Sequence, residues 1–184
     1  MSATPATPLR KPSAAALDPV NARTSNAEDE KFMRHAIALG EKAALVDCTG
    51  GPFGCVIVKD GQIIAEGSNH VVSENDPTWH GEMEAIRTAA KNLGTFDLSG
   101  CTLYTTGEPC PMCAGAIFWA RIDRVVYAST IADALRYGQF DDQPIYEDLA
   151  KPVDERLIPA VQCLHEEMID LWRRYKAKPD RVRY

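Results

Sequence analysis

Two cysteines and a histidine–glutamate pair have the types and spacing for metal chemistry. Pro109-Cys110-Pro111-Met112-Cys113 opens a run that turns apolar at helical spacing, up to about Ala120. Cysteines three positions apart at a loop-to-helix junction can place both sulfurs on one side of the first turn. The helix N-terminus favours the thiolate form, because its N–H dipoles stabilise negative charge. Two thiolates make half of a tetrahedral zinc site. Taken alone, the pair also fits a redox dithiol or a structural zinc knuckle. Upstream, His80-Gly81-Glu82 opens another helical run. His80, Cys110 and Cys113 make three ligands, and no other His or Cys stands at a spacing that suggests a fourth. Three protein ligands and one open position make a catalytic zinc site. Glu82, two residues after His80, is placed to work on water at the metal without binding it.

The surrounding sequence must bring these segments together. Ser25-x-x-Glu28 reads as a capping box, and a helix should follow to about Val46. Its buried side is expected to carry Phe32, Met33, Ala36, Ile37, Gly40, Ala43 and Ala44. Thr49-Gly50-Gly51-Pro52 breaks the chain. Residues 53–59 are β-rich, Asp60-Gly61 is a hairpin signal, and residues 62–66 return, followed by Asn69 and His70. After a polar loop, Thr78 reads as the N-cap of a helix from His80 towards Leu93, burying Met83, Ala85, Ile86 and Ala90. Residues 101–105 read as a buried strand, the Cys-x-x-Cys helix comes next, and residues 125–128 form another strand before more helix. The order α-β-β-α-β-α-β implies a layered α/β domain with parallel pairing of the later strands. Both metal-binding segments start helices after extended stretches, so they can meet at one edge of the sheet.

Composition narrows the function classes. A length of 184 residues with 45% hydrophobic content suits one domain with a packed core. Residues 1–24 are rich in Ala, Pro, Ser and Thr and are expected to be a disordered extension. The net charge of -6 opposes a nucleic-acid footprint. Arg173, Arg174, Lys176, Lys178, Arg181 and Arg183 read as the solvated end of a helix. Cys55 and Cys101 lie in apolar runs and read as small buried hydrophobes. No stretch has the apolar length to span a membrane, and no secretory h-region is visible, so a reducing cytoplasm is the default.

His-x-Glu with a distant Pro-Cys-x-x-Cys is the signature of zinc deaminases. The chain resembles the cytidine deaminase-like zinc deaminases and, within them, the bacterial-type guanine deaminases. The resemblance runs from about residue 29 to the end. Its carriers are Gly50-Gly51-Pro52-Phe53-Gly54, Val58-Lys59-Asp60-Gly61, Asn75-Asp76-Pro77-Thr78, His80-Gly81-Glu82, Glu108-Pro109-Cys110-Pro111-Met112-Cys113, Phe140-Asp141-Asp142 and Tyr184.

The resemblance implies a three-layer αβα fold around a five-stranded mixed sheet over residues 25–184, and a homodimer with exchanged C-terminal segments. It implies Zn2+ held by His80, Cys110 and Cys113, with Glu82 as proton shuttle. It implies purine contacts from Asn69, Asp142 and a Tyr184 lent by the partner subunit, with Phe53 walling the pocket and Gly81 at its floor. On their own, Asn69 also reads as a loop-satisfying residue, Asp142 as a solvated carboxylate and Tyr184 as a frayed end.

The implied reaction is hydrolytic deamination of a small purine, guanine to xanthine and ammonia, in purine catabolism or salvage. Guanosine and aminotriazine deaminases share the pattern. A tRNA adenosine deaminase is opposed by the acidic charge and Phe140-Asp141-Asp142. A non-enzymatic zinc module is opposed by Glu82 and the three-ligand set. Trp79 stands where the family has a small residue, Gly81 where it has Ala, and the tail from Trp172 is a little longer. Trp79 is therefore expected to tighten the pocket entrance, and Gly81 to remove a methyl from its floor.

Overall fold

Helix α1 (Ala27–Glu41) opens the part of the chain, residues 24–181, that the computed structural model describes. Residues 1–23 of the expected extension, and Tyr184, lie outside the described residues. The capping box sits one residue later than Ser25 and Glu28 suggest. Asn26 Oδ1 accepts from the N–H of Glu28 and Asp29 at 2.9 Å each, and Asp29 Oδ2 accepts from the Asn26 N–H at 3.0 Å. Asn caps as well as Ser does, and the acid that closes the box is the one that other elements draw inward. The helix widens into a π-turn over Lys42–Val46. Phe32, Ala36, Gly40 and Ala43 are buried as expected, whereas Ile37 is 46% exposed and Leu39 takes the half-buried place.

Strands β1 (Gly54–Lys59) and β2 (Gln62–Ser68) form an antiparallel hairpin. Asp60 and Gly61 turn it with φ of 50° and 73°, the positive values that a two-residue hairpin turn requires. A short helix α2 (Val71–Glu74) and helix α3 (Gly81–Leu93) lead to β3 (Cys101–Gly107). Helix α4 (Pro111–Trp119) then crosses to β4 (Arg124–Ser129). The order is β2-β1-β3-β4, with β3 antiparallel to β1 and parallel to β4. β2 and β3 therefore run the same way, and their C-terminal ends share one edge of the sheet.

The sheet has four strands among the described residues, not the five expected. After β4 the chain caps a helix at once: Thr130 and Asp133 close a capping box over α5 (Ile131–Asp133), and a π-turn follows to Gly138. The later apolar stretch at 157–161 pairs with no strand, and its Pro159 lacks a ladder donor. Leu157, Ile158 and Val161 there are 83%, 79% and 89% exposed.

Helices cover both faces of the sheet. α1 packs Phe32 and Ala36 on Val56, Val58 and Tyr104. α3 and α4 pack Ala85, Ala89 and Ile117 on Cys55, Ile57 and Leu103, and Cys55 and Cys101 are buried apolar residues as expected. Gly67 lets α3 seat closely, because a Cβ there would lie 2.2 Å from the Gly81 carbonyl oxygen. The described residues fall into two compact units, one ending at Asp142 and one starting at Gln143. The second holds α6 (Gln143–Leu149) and α7 (His165–Ala177), whose Met168, Leu171, Trp172 and Tyr175 form an exposed apolar stripe. No helix among the described residues is long and apolar enough to cross a membrane.

One buried ion pair ties α1 to β4. Arg124 reaches Asp29 at 2.6 and 2.9 Å, and the Tyr104 hydroxyl donates to Asp29 Oδ1 at 2.8 Å. The side chains of Arg124 and Asp29 are only 10% and 3% exposed. The bond to Arg124 is the main reason the Asp29 carboxyl titrates below its usual range. A lowered acid contributes stability above its unfolded pKa, near 3.9, and loses it as pH falls through the folded value. Arg124→Met should cost roughly 3–5 kcal/mol at neutral pH, because it strands a buried charge. Urea midpoints at pH 7 and pH 3 check this: the gap between wild type and variant should shrink at the lower pH.

Candidate active site

Both ligand-bearing segments leave the shared edge of β2 and β3 as helix starts. His80 is the N-cap of α3 with extended backbone, φ −81° and ψ 156°. Thr78, the expected cap, spends its hydroxyl and N–H on Asp76 Oδ1, at 2.7 and 2.8 Å. Cys110 is the N-cap of α4, and Pro111 follows at a position that needs no N–H. The Sγ atoms of Cys110 and Cys113 each lie 3.6 Å from His80 Nδ1, and among the described residues this is the only His/Cys/Asp/Glu group close enough to share a metal ion. With Zn–S near 2.3 Å and Zn–N near 2.0–2.1 Å, sulfur and nitrogen corners of a tetrahedron stand about 3.5 Å apart. The donor set fits zinc in both type and spacing.

The three groups are electrostatically coupled. The hydrogen bond from Cys113, with His80 next, holds the Cys110 thiol down to about 4. The same bond and burial push Cys113 far above the ordinary thiol range. Bonding to Cys110 raises His80.

Glu82, 6% exposed, lies on the first turn of α3. Its Oε1 accepts from the Thr105 hydroxyl at 2.9 Å, and its Oε2 lies 3.5 Å from Cys113 Sγ. Burial raises its pKa above the usual carboxylate value, so a carboxylate here has more affinity for a proton than one in water.

A cavity of about 420 Å³ opens over the cluster, lined by His80, Glu82, Cys110, Asn69, Asp142, Phe53 and Phe140, among others. Asn69 is 5% exposed; its N–H donates to the Phe53 carbonyl at 2.9 Å, and its Oδ1 accepts from the Val71 N–H at 3.2 Å. Gly50 makes room for that side chain, since a Cβ there would sit 1.9 Å from Asn69 Oδ1. Phe53 and Phe140 meet edge to face, centroids 4.9 Å apart, as one aromatic wall. Burial, then the Cys110 charge, raises Asp142.

Residues 26–129 match the profile of the cytidine and deoxycytidylate deaminase zinc-binding region. The chain belongs to this deaminase family. The guanine deaminase of Bacillus subtilis (strain 168) is 48% identical over 157 residues, covering 82% of this chain and 97% of that one. An X-ray structure of guanine deaminase from Bacillus subtilis superimposes with a TM-score of 0.81 at 46% identity, covering 87% of this chain and 99% of that one. The tRNA-specific adenosine deaminase of Haemophilus influenzae is 44% identical over 119 residues, covering 62% of this chain and 68% of that one. This deaminase is thus a zinc-dependent aminohydrolase, and His80, Cys110 and Cys113 are the residues that could hold its metal.

The structure brings seven of the nine residues expected in the deaminase site together: the three candidate ligands, Glu82, Asn69, Asp142 and Phe53. Gly81 is not among them. It is buried beside the cavity, and a methyl there would point at the carbonyls of Phe53 and Gly67, at 3.1 and 3.3 Å, not into the pocket floor. Tyr184 lies outside the described residues. Trp79 packs against the His70 ring at 5.7 Å and does not line the cavity, so its bulk does not narrow the entrance. Thr105, Gly50 and Phe140 join the site beyond the nine expected residues. Alternation along β3 places Thr105 on the face of Cys101 and Leu103; Gly50 and Phe140 stand in the segments Gly50-Gly51-Pro52-Phe53-Gly54 and Phe140-Asp141-Asp142 that carry the family resemblance.

Proposed function

We propose that this deaminase hydrolyses guanine to xanthine and ammonia. The observation that carries the proposal is one cavity holding Asn69 and Asp142 over the His80–Cys110–Cys113 cluster and Glu82. Asn69 Oδ1 is taken by the Val71 N–H, so its NH2 group remains for a ligand, while Asp142 supplies acceptors. A 6-oxopurine offers the complement, carbonyl and ring-nitrogen acceptors beside ring N–H donors. The aromatic wall of Phe53 and Phe140 suits a flat base.

The roles follow from position. His80, Cys110 and Cys113 hold zinc, which when bound lowers the pKa of water to about 7. Glu82 takes a proton from water and delivers it to a ring nitrogen as the oxygen adds at C2. Glu82 then takes the second proton from the added hydroxyl and passes it to the amino group; the C2–N bond breaks as the carbonyl forms, so guanine and water become xanthine and ammonia. Phe53 orients the ring, and Asn69 and Asp142 select it, because a base lacking their partners leaves buried polar atoms unpaired.

Ammonia release from guanine, guanosine, cytosine, adenine, ammeline and a tRNA anticodon stem-loop tests the substrate. Guanine should give the highest kcat/KM; a higher value for any other would overturn the choice. The match to the Bacillus subtilis guanine deaminase also spans more of this chain than the match to the tRNA-specific enzyme. The thiolate ligands must stay reduced, so we place the protein in a reducing cytoplasm.

We further propose that residues 25–184 act as one deaminase domain in a homodimer with exchanged C-terminal segments. The exposed stripe of Met168, Leu171 and Trp172, with Leu157, Ile158 and Val161, is apolar surface that a second copy would cover. Tyr184 would then complete the partner's pocket. Mixing an inactive Glu82→Gln subunit with an inactive Tyr184-deleted subunit should restore activity, because one site of the heterodimer has both groups. No recovery, with heterodimer confirmed by mass, would rule out the lent tyrosine.

A further inference from the structure

The geometry points to Thr105 as the positioning residue that divides the work of the two Glu82 oxygens, Oε1 fixed by the Thr105 hydroxyl and Oε2 turned to the reacting proton. The inference rests on Glu82 being the shuttle. Thr105 is fully buried on β3, facing the α3–α4 layer. Its neighbours on that face, Cys101 and Leu103, are apolar, and each of the three is 0% exposed. A valine would fill the same space with no polar atom to satisfy. The threonine hydroxyl instead donates to Glu82 Oε1 at 2.9 Å.

Thr105 is a rigid holder. A β-branched side chain is stiff at χ1, so the strand backbone fixes the donor's direction. Glu82 has three rotatable bonds and sits on the first turn of a helix, where its own backbone also hydrogen-bonds the carboxylate. The Thr105 bond fixes Oε1 from the strand side, with Oε2 3.5 Å from Cys113 Sγ, at the ligand cluster. Proton transfer needs the carboxylate within hydrogen-bond reach of each atom it serves. A carboxylate that loses its anchor still lies in the cavity but spends less time in that geometry.

The test separates turnover from binding. Thr105→Val should lower kcat by up to about 100-fold, the size of loss that a 1 Å misplacement produces. KM and zinc content should stay near wild type, because neither purine contacts nor ligands change. Thr105→Ser keeps the donor and should hold kcat within about threefold. In a Glu82→Gln background Thr105→Val should add no further loss, since the hydroxyl acts only through Glu82. If Thr105→Val folds poorly, the Thr105→Ser and Thr105→Ala pair repeats the comparison of hydroxyl against none. Wild-type kcat in Thr105→Val or Thr105→Ala, or a Ser variant as slow as either, would overturn the inference. Full activity of Glu82→Gln would instead overturn the shuttle itself, so the two failures are told apart.

Discussion

Cys110→Ala is expected to purify without zinc and without activity. The expectation follows from the number of ligands. Three groups cluster at His80, Cys110 and Cys113, and removing one leaves a two-coordinate remnant. Losing an outer hydrogen-bond partner of a metal ligand already costs roughly 10–100-fold in affinity; losing a thiolate ligand costs more. The bond from Cys113 also holds the Cys110 thiol down to about 4. Alanine removes that sulfur and leaves Cys113 as the one thiol of the cluster. Elemental analysis of variant and wild type reads the result directly. Undiminished zinc in the variant would sink the ligand assignment.

Proton release gives a second readout on the wild-type protein. Zinc takes thiolate, so loading displaces the protons that the ligand thiols hold. A pH indicator in weak buffer should show proton release as zinc is added to chelator-stripped protein. The sign is fixed: protons compete with the metal, so zinc affinity falls as pH drops. Because zinc binds the folded form, stripping it should also lower Tm.

How much of this was legible in the sequence depends on how local each constraint is. His80, Glu82, Cys110 and Cys113 could be read because each pair is fixed by spacing within one helix turn. The hairpin was legible because Asp60-Gly61 fits only a few turns. Asp29 was not, since a first-turn carboxylate looks like an ordinary partner of the helix dipole. Its true partners, Tyr104 and Arg124, lie 75 and 95 residues away. Gly50 is a chain breaker by sequence, and only the packed loop shows that it vacates space for Asn69. Trp79 is adjacent to His80 in sequence but not to the cavity. At an extended helix cap, neighbouring side chains diverge, and Trp79 turns to His70. The fifth strand was inferred from the family pattern, and local chemistry after β4 favours a capped helix there.

Glu82→Gln should abolish turnover and leave zinc and fold in place. Glutamine has the shape of glutamate, and its carbonyl oxygen can still accept from the Thr105 hydroxyl, now 2.9 Å from Oε1. The amide nitrogen takes the place of Oε2 and cannot take up a proton. General acid–base transfer contributes roughly 10²–10⁴-fold, and this carboxylate is proposed to act more than once per cycle, so kcat should fall by at least about that factor. KM should change little, because Asn69, Asp142 and the aromatic wall are untouched. The zinc-free variant should also be more stable than zinc-free wild type above pH 5. Burial raises the Glu82 pKa, so the folded form binds its proton more tightly than the unfolded chain. Wild type then loses stability as pH climbs from the unfolded value, about 4.3, through the raised folded value, whereas glutamine has no such loss. Stability gained with activity lost is what a group held for function at a cost to the fold predicts. Wild-type kcat in the pure variant would remove Glu82 from the reaction, and loss of zinc alongside kcat would show that Glu82 helps to hold the metal.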